Sequence, residues 1–259
     1  MTQNERIQYL IDALLTESPR YKEIGTPDSP DEQWRLLRAL VNVRPATPIP
    51  DDFLKIQDEY LTKRLAEQGI VDAAELPATA LDSRIVVWKG DITALRIDAI
   101  VNAANSRMEG CWQPCHACID NCIHTFSGVQ LRMRCHQIMT EQGHEEPTGQ
   151  AKITPGYNLP AKYVLHTVGP IIDHGPSKRD CDLLASCYVS CLKLAERNSC
   201  HGIAFCCIST GVFRFPQDKA AEIAVQTVKG FLNNGSTMER VVFNVFTPED
   251  ERIYRQLLP

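Results

Sequence analysis

The chain has no run of about 18 apolar residues, which excludes a membrane-spanning helix of ordinary length. Its first residues, Met1-Thr2-Gln3-Asn4-Glu5-Arg6, lack the basic-then-apolar pattern of a secretory signal, so a cytoplasmic location is expected. Basic charge is not in excess. With 27 Lys and Arg against 32 Asp and Glu, the net charge is −5, and neither a nucleic-acid nor a membrane partner is expected. Internal repeats and low-complexity tracts are absent, which excludes a solenoid. Cysteine is missing before Cys111 and after Cys207, although the 259 residues hold eleven. An odd count without a sign of secretion makes a poor disulfide framework. Most of these thiols, Cys187, Cys191, Cys206 and Cys207 among them, are expected to be small buried hydrophobes. What is present is 44% hydrophobic and 23% charged residues, enough to build a core. The length fits one large domain, or an ordinary one with an appendage.

Residues 1–80 carry helical patterning. Ile7, Leu10, Ile11 and Leu14 follow the i, i+3, i+4, i+7 spacing of an amphipathic helix. Asp28-Ser29-Pro30-Asp31-Glu32 reads as the start of a second helix, with Trp34, Leu37, Leu40 and Val41 on one stripe. Asp51 or Asp52 is positioned to cap a third, in which Phe53, Ile56, Tyr60 and Leu61 share a face. Beyond residue 84 apolar strands are predicted over 84–90, 99–103, 162–168, 202–208 and 240–246. Helices are predicted over 119–141, 180–198, 217–233 and 248–257. Alternating apolar strands and helices imply an α/β fold with a largely parallel sheet covered on both faces. The expected division is an N-terminal helical extension over 1–80 and a main domain over 81–259. Sites in such sheets gather at the carboxyl ends of strands. Three chemically marked segments fall there: Gly90-Asp91-Ile92-Thr93, the stretch from Asn102 to Asp120, and Ser209 to Pro216.

The densest chemistry lies in Gly110-Cys111-Trp112-Gln113-Pro114-Cys115-His116-Ala117-Cys118-Ile119-Asp120. Three cysteines and a histidine within eight residues, with a carboxylate two positions on, form a metal-ligand cluster. Thiolates with imidazole suit zinc. Four protein ligands would make a closed, structural site, whereas three leave the open position of a catalytic one.

Five motifs stand in order: Gly90-Asp91-Ile92-Thr93, Val101-Asn102-Ala103-Ala104-Asn105-Ser106, Cys118-Ile119-Asp120-Asn121-Cys122-Ile123-His124, Ile208-Ser209-Thr210-Gly211-Val212-Phe213-Arg214-Phe215-Pro216 and Phe243-Asn244-Val245-Phe246. Together they resemble the macrodomain family, which binds ADP-ribose, over about residues 84–258. Hydrolytic macrodomains of the MacroD type carry a glycine run and then Val-Asp-Gly after their Asn-Ala-Ala-Asn. Here Cys111 to Cys118 replaces that run. In this the chain is similar to the zinc-dependent macrodomains of bacteria and some fungi, which also have an N-terminal helical extension and remove mono-ADP-ribose from proteins.

The resemblance implies a macrodomain-like α/β/α sandwich with a mixed, largely parallel sheet. It implies Zn2+ on Cys111, His116 and Cys118, by the pattern Gly-Cys-aromatic-x-Pro-x-His-x-Cys, in which the position of Cys115 need not be cysteine. Asp91 and the backbone of Ile92 are expected to hold adenine. Ser209, Thr210, Gly211 and Val212 would cradle the diphosphate, with Phe213 over the distal ribose and Phe246 beside adenine. Arg214 would reach a phosphate or point to solvent. Asn105 would place the distal ribose, and Asp120 would orient or deprotonate water, staying ionised beside the metal. Asn102 is a further ligand contact in this reading, or the amide that satisfies loop backbone. His124 is expected to pack or hydrogen-bond, and the spacing of His136, His144 and His166 does not support zinc binding. The implied substrate is a mono-ADP-ribosylated protein, in some relatives a lipoyl-carrier protein modified by a sirtuin-type transferase. Two alternatives remain open at this point: an ADP-ribose-binding module with a closed zinc site including Cys115, and a hydrolase of free derivatives such as O-acetyl-ADP-ribose.

Overall fold

The computed structural model describes residues 1–21 and 23–259. Among the described residues the strands are β1 (Val71–Asp72), β2 (Ile85–Lys89), β3 (Leu95–Arg96), β4 (Ala99–Ala103), β5 (Ala151–Pro155), β6 (Tyr163–Thr167), β7 (Gly202–Phe205) and β8 (Arg240–Val245). The helices are α1 (Gln3–Thr16), α2 (Pro30–Val43), α3 (Asp51–Gln68), α4 (Ile119–Ser127), α5 (Val129–Gln142), α6 (Lys178–Arg197), α7 (Gln217–Asn233) and α8 (Pro248–Leu257).

Six strands form one sheet in the order β2-β8-β7-β4-β6-β5. All its pairs are parallel except β5 with β6. The parallel strands are buried along most of their length, which is why they read as continuous apolar runs rather than alternating ones. Helices α6, α7 and α8 cover one face, while α4 and α5 lie on the other. The sandwich and its mixed sheet match the expected fold class.

Three differences from the sequence reading have local causes. The stretch read as one helix over 119–141 is two, α4 and α5, broken at Gly128. Its φ of +97° lies in the region that favours glycine, and a Cβ there would sit 2.5 Å from the Gln57 amide nitrogen. Strand β5 is an antiparallel edge strand that ends on a proline, too polar to register as an apolar run. Within residues 1–80, Val71–Asp72 is not helical and pairs with Leu95–Arg96.

In the N-terminal layer, Ile7, Leu10, Ile11, Leu14, Leu37, Leu40, Phe53, Tyr60 and Leu61 form a cluster of their own with Val129 of α5. Full burial of each large side chain contributes about 1.5–3 kcal/mol. Trp34 joins this cluster to the main core, 6.2 Å from Tyr60 and 5.6 Å from Phe126, with the Arg64 guanidinium 3.9 Å over its ring. Pro50, rather than Asp51 or Asp52, occupies the cap position of α3, and both acids sit in the first turn, where they favour the positive helix end. No helix among the described residues is long and apolar enough to cross a membrane.

Candidate active site

Four marked segments meet at the carboxyl ends of β2, β4, β7 and β8, because parallel strands send all their following loops to one edge. Asp91 follows β2. One carboxylate oxygen accepts from the Thr93 backbone N–H at 2.9 Å and the Thr93 hydroxyl at 2.6 Å, which fixes the side chain and leaves the other oxygen to face outward. Phe246 follows β8 and is 77% exposed, so it stands out of the sheet rather than in the core. After β7, Ser209 (φ +65°) and Arg214 (φ +57°) bend the backbone. Phe215 donates to the Ser209 carbonyl and Arg214 to that of Gly211, both at 3.0 Å. Among the described residues the N–H groups of Gly211, Val212 and Phe213 make no such bond. Free, successive N–H groups in a bent loop form an anion cradle. The Arg214 side chain pairs with Asp173 at 2.9 Å on the surface.

Asp120 lies in the first turn of α4, but its carboxylate does not cap that helix. One oxygen accepts from the Asn102 amide at 2.8 Å and the other lies 3.4 Å from the Asn105 amide. Burial raises the carboxyl to about 6, against the lowering effects of Asn102, Arg132 and Asn105. It is therefore still mostly ionised at neutral pH.

The loop-backbone role that the sequence reading offered to Asn102 falls to Asn105 instead. Asn102 is fully buried and makes no backbone contact there; its amide holds Asp120 and lies 3.1 Å from Nδ1 of His166. It acts through Asp120 instead of facing a ligand. Asn105 is the one that satisfies loop backbone, donating to the Gly110 carbonyl at 3.1 Å and accepting from the Arg107 N–H.

Cys111, His116 and Cys118 present donor atoms within 4.8 Å of one another, with Cys111 Sγ 3.7 Å from His116 Nδ1. Burial first, with Cys111 and Asp120 adding to it, pushes the Cys118 thiol up to about 12. A cation reverses that balance, because a coordinated thiol loses its proton. Cys115 lies outside the group: its Sγ donates to the Arg35 carbonyl of α2 at 3.3 Å. The donor set thus fits zinc with three ligands and an open side.

A second group, His124, Cys135 and His166, is fully buried within the same 4.8 Å limit. If the Asn102 amide donates to both Asp120 and His166 Nδ1, then Nε2 of His166 carries the proton and donates to Thr154 Oγ1 at 2.9 Å. That ring is engaged, and the group reads as a polar core beneath the site. Neither ring nitrogen of His124 makes a hydrogen bond among the described residues, and Nε2 lies 3.6 Å from Oδ1 of Asp120. His124 does pack, against Gly110: a Cβ added to Gly110 would lie 2.8–2.9 Å from three of its ring atoms. His136 pairs with Glu109 at 2.6 Å, away from both groups.

Sequence reasoning missed Arg38, Asn42 and Arg132. Arg132 donates to the carbonyls of Glu109 at 2.7 Å, Val41 at 3.1 Å and Arg44 at 2.6 Å, and its guanidinium lies 4.3 Å over the Trp112 ring. Their partners are remote in sequence, so no local pattern marks them.

A family profile described as the Macro domain matches residues 101–224. The "Protein-ADP-ribose hydrolase" of Treponema medium is 59% identical over 260 aligned residues covering all of both chains. The chain belongs to the macrodomain family. A "Protein-ADP-ribose hydrolase" of Staphylococcus aureus (strain MSSA476) is 53% identical, covering 97% of this macrodomain and 94% of its own length. Among solved structures, the Trypanosoma brucei macrodomain in complex with ADP-ribose superposes with a TM-score of 0.66 at 30% identity, covering 89% of this macrodomain and 96% of that chain.

Proposed function

We propose that this macrodomain is a zinc-dependent hydrolase that removes mono-ADP-ribose from modified proteins, at acidic side chains. The observation that carries the reading is the three-donor group Cys111, His116 and Cys118 with Cys115 turned away, joined through Asn105 to Asp120. End-to-end similarity to two proteins named as protein-ADP-ribose hydrolases supports the activity. The division into an extension over 1–80 and a macrodomain over 81–259 belongs to the same proposal, as does a cytoplasmic location.

In this reading ADP-ribose lies across the strand ends. The free Asp91 oxygen accepts from the adenine amino group, and the Ile92 N–H donates to a ring nitrogen. Phe246 offers an exposed aromatic face to the base. The N–H groups of 211–213 take the diphosphate, and Phe213 covers the distal ribose. Asn105 places that ribose. Asp120, held at both oxygens, orients water or accepts its proton. Zinc, when bound by Cys111, His116 and Cys118, supplies Lewis acidity at the distal ribose and the linkage. Cleavage at the anomeric carbon places the new oxygen on ADP-ribose, and cleavage of an ester carbonyl places it on the protein side chain. Labelled water distinguishes the two.

The test is ADP-ribose release from a protein modified at acidic residues; a lipoyl-carrier protein treated with a sirtuin-type transferase is the substrate to try first. Zinc-loaded enzyme, chelated enzyme and Asp120→Ala are compared, each with its ADP-ribose affinity. Release that needs zinc and Asp120 while binding persists supports the hydrolase. Binding by every form and release by none returns the chain to an ADP-ribose reader. Faster turnover of O-acetyl-ADP-ribose than of modified protein makes it a hydrolase of the free derivative.

A further inference from the structure

The metal loop has almost no structure of its own. Between Gly110 and Cys118 its one internal backbone bond is the His116 N–H to the Gln113 carbonyl, at 3.2 Å. Cys115 sits at φ +54°, a conformation that costs a non-glycine residue about 1–3 kcal/mol unless neighbours enforce it. Three donor atoms nonetheless converge. The constraint comes from outside the loop, and most of it comes from α2.

Arg38 reaches in from α2. Its Nη2 donates to the His116 carbonyl at 2.7 Å and to Oδ1 of Asn121 at 2.8 Å, and Nε lies 3.3 Å from the same Oδ1. The Asn121 amide in turn donates to the Gln113 carbonyl at 2.9 Å. One turn further along α2, the fully buried Asn42 accepts the Cys115 N–H at 2.9 Å and donates to Thr125 Oγ1 at 3.0 Å. The Arg35 carbonyl takes the Cys115 thiol. One face of α2 therefore fixes Gln113 (through Asn121), Cys115 and the ligand His116, while tying them to α4, whose cap residue is the ligand Cys118. Neither Arg38 nor Asn42 offers an atom to the metal. They hold the backbone that carries the ligands.

We propose that Arg38 and Asn42 are positioning residues for zinc, so that the N-terminal helical layer is part of the metal site. The inference rests on the zinc reading above and assigns that layer a role the reading does not. A loop already held in its ligating shape loses less conformational freedom when the metal binds, which raises affinity without adding a ligand. Partners that orient metal ligands typically account for about 10–100-fold in metal affinity.

The experiment uses the full chain and four variants: Arg38→Ala, Arg38→Lys, Asn42→Ala and, as a control in the same layer but on the α1–α3 contact, Arg6→Ala. Zinc affinity is read by competition with a chromogenic chelator, and donor geometry by the absorption of the cobalt-substituted protein. Melting temperature and ADP-ribose affinity are measured on the zinc-free forms. The expected result is one zinc per wild-type chain, with about 10–100-fold weaker zinc and an altered cobalt spectrum for Arg38→Ala and Asn42→Ala. Arg38→Lys falls between, because an ammonium lacks the planar fork that serves both acceptors. ADP-ribose affinity of the zinc-free forms and the behaviour of Arg6→Ala stay at wild type. Wild-type zinc affinity in Arg38→Ala and Asn42→Ala overturns the positioning role and leaves the zinc reading standing. A wild-type chain that binds no zinc overturns both. Zinc loss that merely tracks melting temperature, in Arg6→Ala as in the others, also overturns it. Should Arg38→Ala not fold, Arg38→Lys and Asn42→Ala decide.

Discussion

Gly110→Ala tests the local architecture most directly. Gly110 has φ +82°, which in an L-residue costs about 1–2 kcal/mol. The new Cβ would also lie 2.8–2.9 Å from Cγ, Cδ2 and Nδ1 of His124, a ring that is buried and cannot swing into solvent. Overpacking of this kind costs about 1–3 kcal/mol. The two effects sum to about 2–5 kcal/mol, and at about 2–4 °C per kcal/mol for a chain of this size the melting temperature of the zinc-free protein falls by roughly 4–20 °C. The displacement also has a direction. Gly110 precedes Cys111, a ligand of the proposed zinc site, and its carbonyl accepts the Asn105 amide that bridges to Asp120. Moving Gly110 off His124 therefore moves a ligand and loosens a site residue together, and zinc affinity drops at least about tenfold. Thermal unfolding of the zinc-free and zinc-loaded forms measures both effects. A variant that melts within about 1 °C of wild type and binds zinc as tightly refutes the reasoning, because neither cost would then be real.

Three further outcomes are expected. Cys115→Ser keeps one zinc per chain at near wild-type affinity, because that thiol is turned to the Arg35 carbonyl, whereas Cys118→Ser weakens zinc at least about tenfold; chelator competition on both reads the difference. Phe246→Ala leaves the melting temperature unchanged, the ring being exposed, but weakens ADP-ribose by at least about fivefold in calorimetric titration if the ring stacks on adenine. Acid destabilises the zinc-free protein. Burial holds His124 well below 6.5 and His166 at about 3, so each contributes stability that is complete above pH 6.5 and declines as pH falls, at about 1.4 kcal/mol per unit. Asp120, raised to about 6, opposes this between about 6 and 3.8, since there the folded chain binds the proton more readily than the unfolded one. Between pH 6 and 4 the effects of His166 and Asp120 roughly offset each other, so His124 sets the net loss, and unfolding free energies from urea titrations that stay flat over that range contradict the burial of the pair.

The fold was legible where burial dictates composition. Runs such as Ile85-Val86-Val87 and Ile203-Ala204-Phe205 are strands because both their faces are covered, and apolar side chains at successive positions report that directly. Strand β5 was not legible, because an edge strand holds its place through pairing with β6 and needs no apolar run. The convergence of Cys111, His116 and Cys118 was legible because these donors are neighbours in sequence. Its supports were not: Arg38 and Asn42 act on residues 73–83 positions away, and no local spacing records such a contact. That Asn105 rather than Asn102 bonds the loop backbone has a similar origin. Asn102 lies within β4 and Asn105 just beyond it, and only the groups that meet them, the Asp120 carboxylate and the Gly110 carbonyl, decide which amide faces where.

The strand order also makes the sheet a ruler. Asp91 stands at the end of edge strand β2, and the Asn102–Asp120 pair at β4, with β8 and β7 between them. Neighbouring strands are about 4.8 Å apart, so the two ends of the cleft are separated by three such steps, about 14 Å. A ligand must have that reach to engage both. In the proposed binding mode the diphosphate would serve as a spacer as much as a charge. A nucleotide-ribose shorter by one phosphate would then satisfy the Asp91 end or the Asp120 end, but not the two at once, a selection by length that precedes any chemistry.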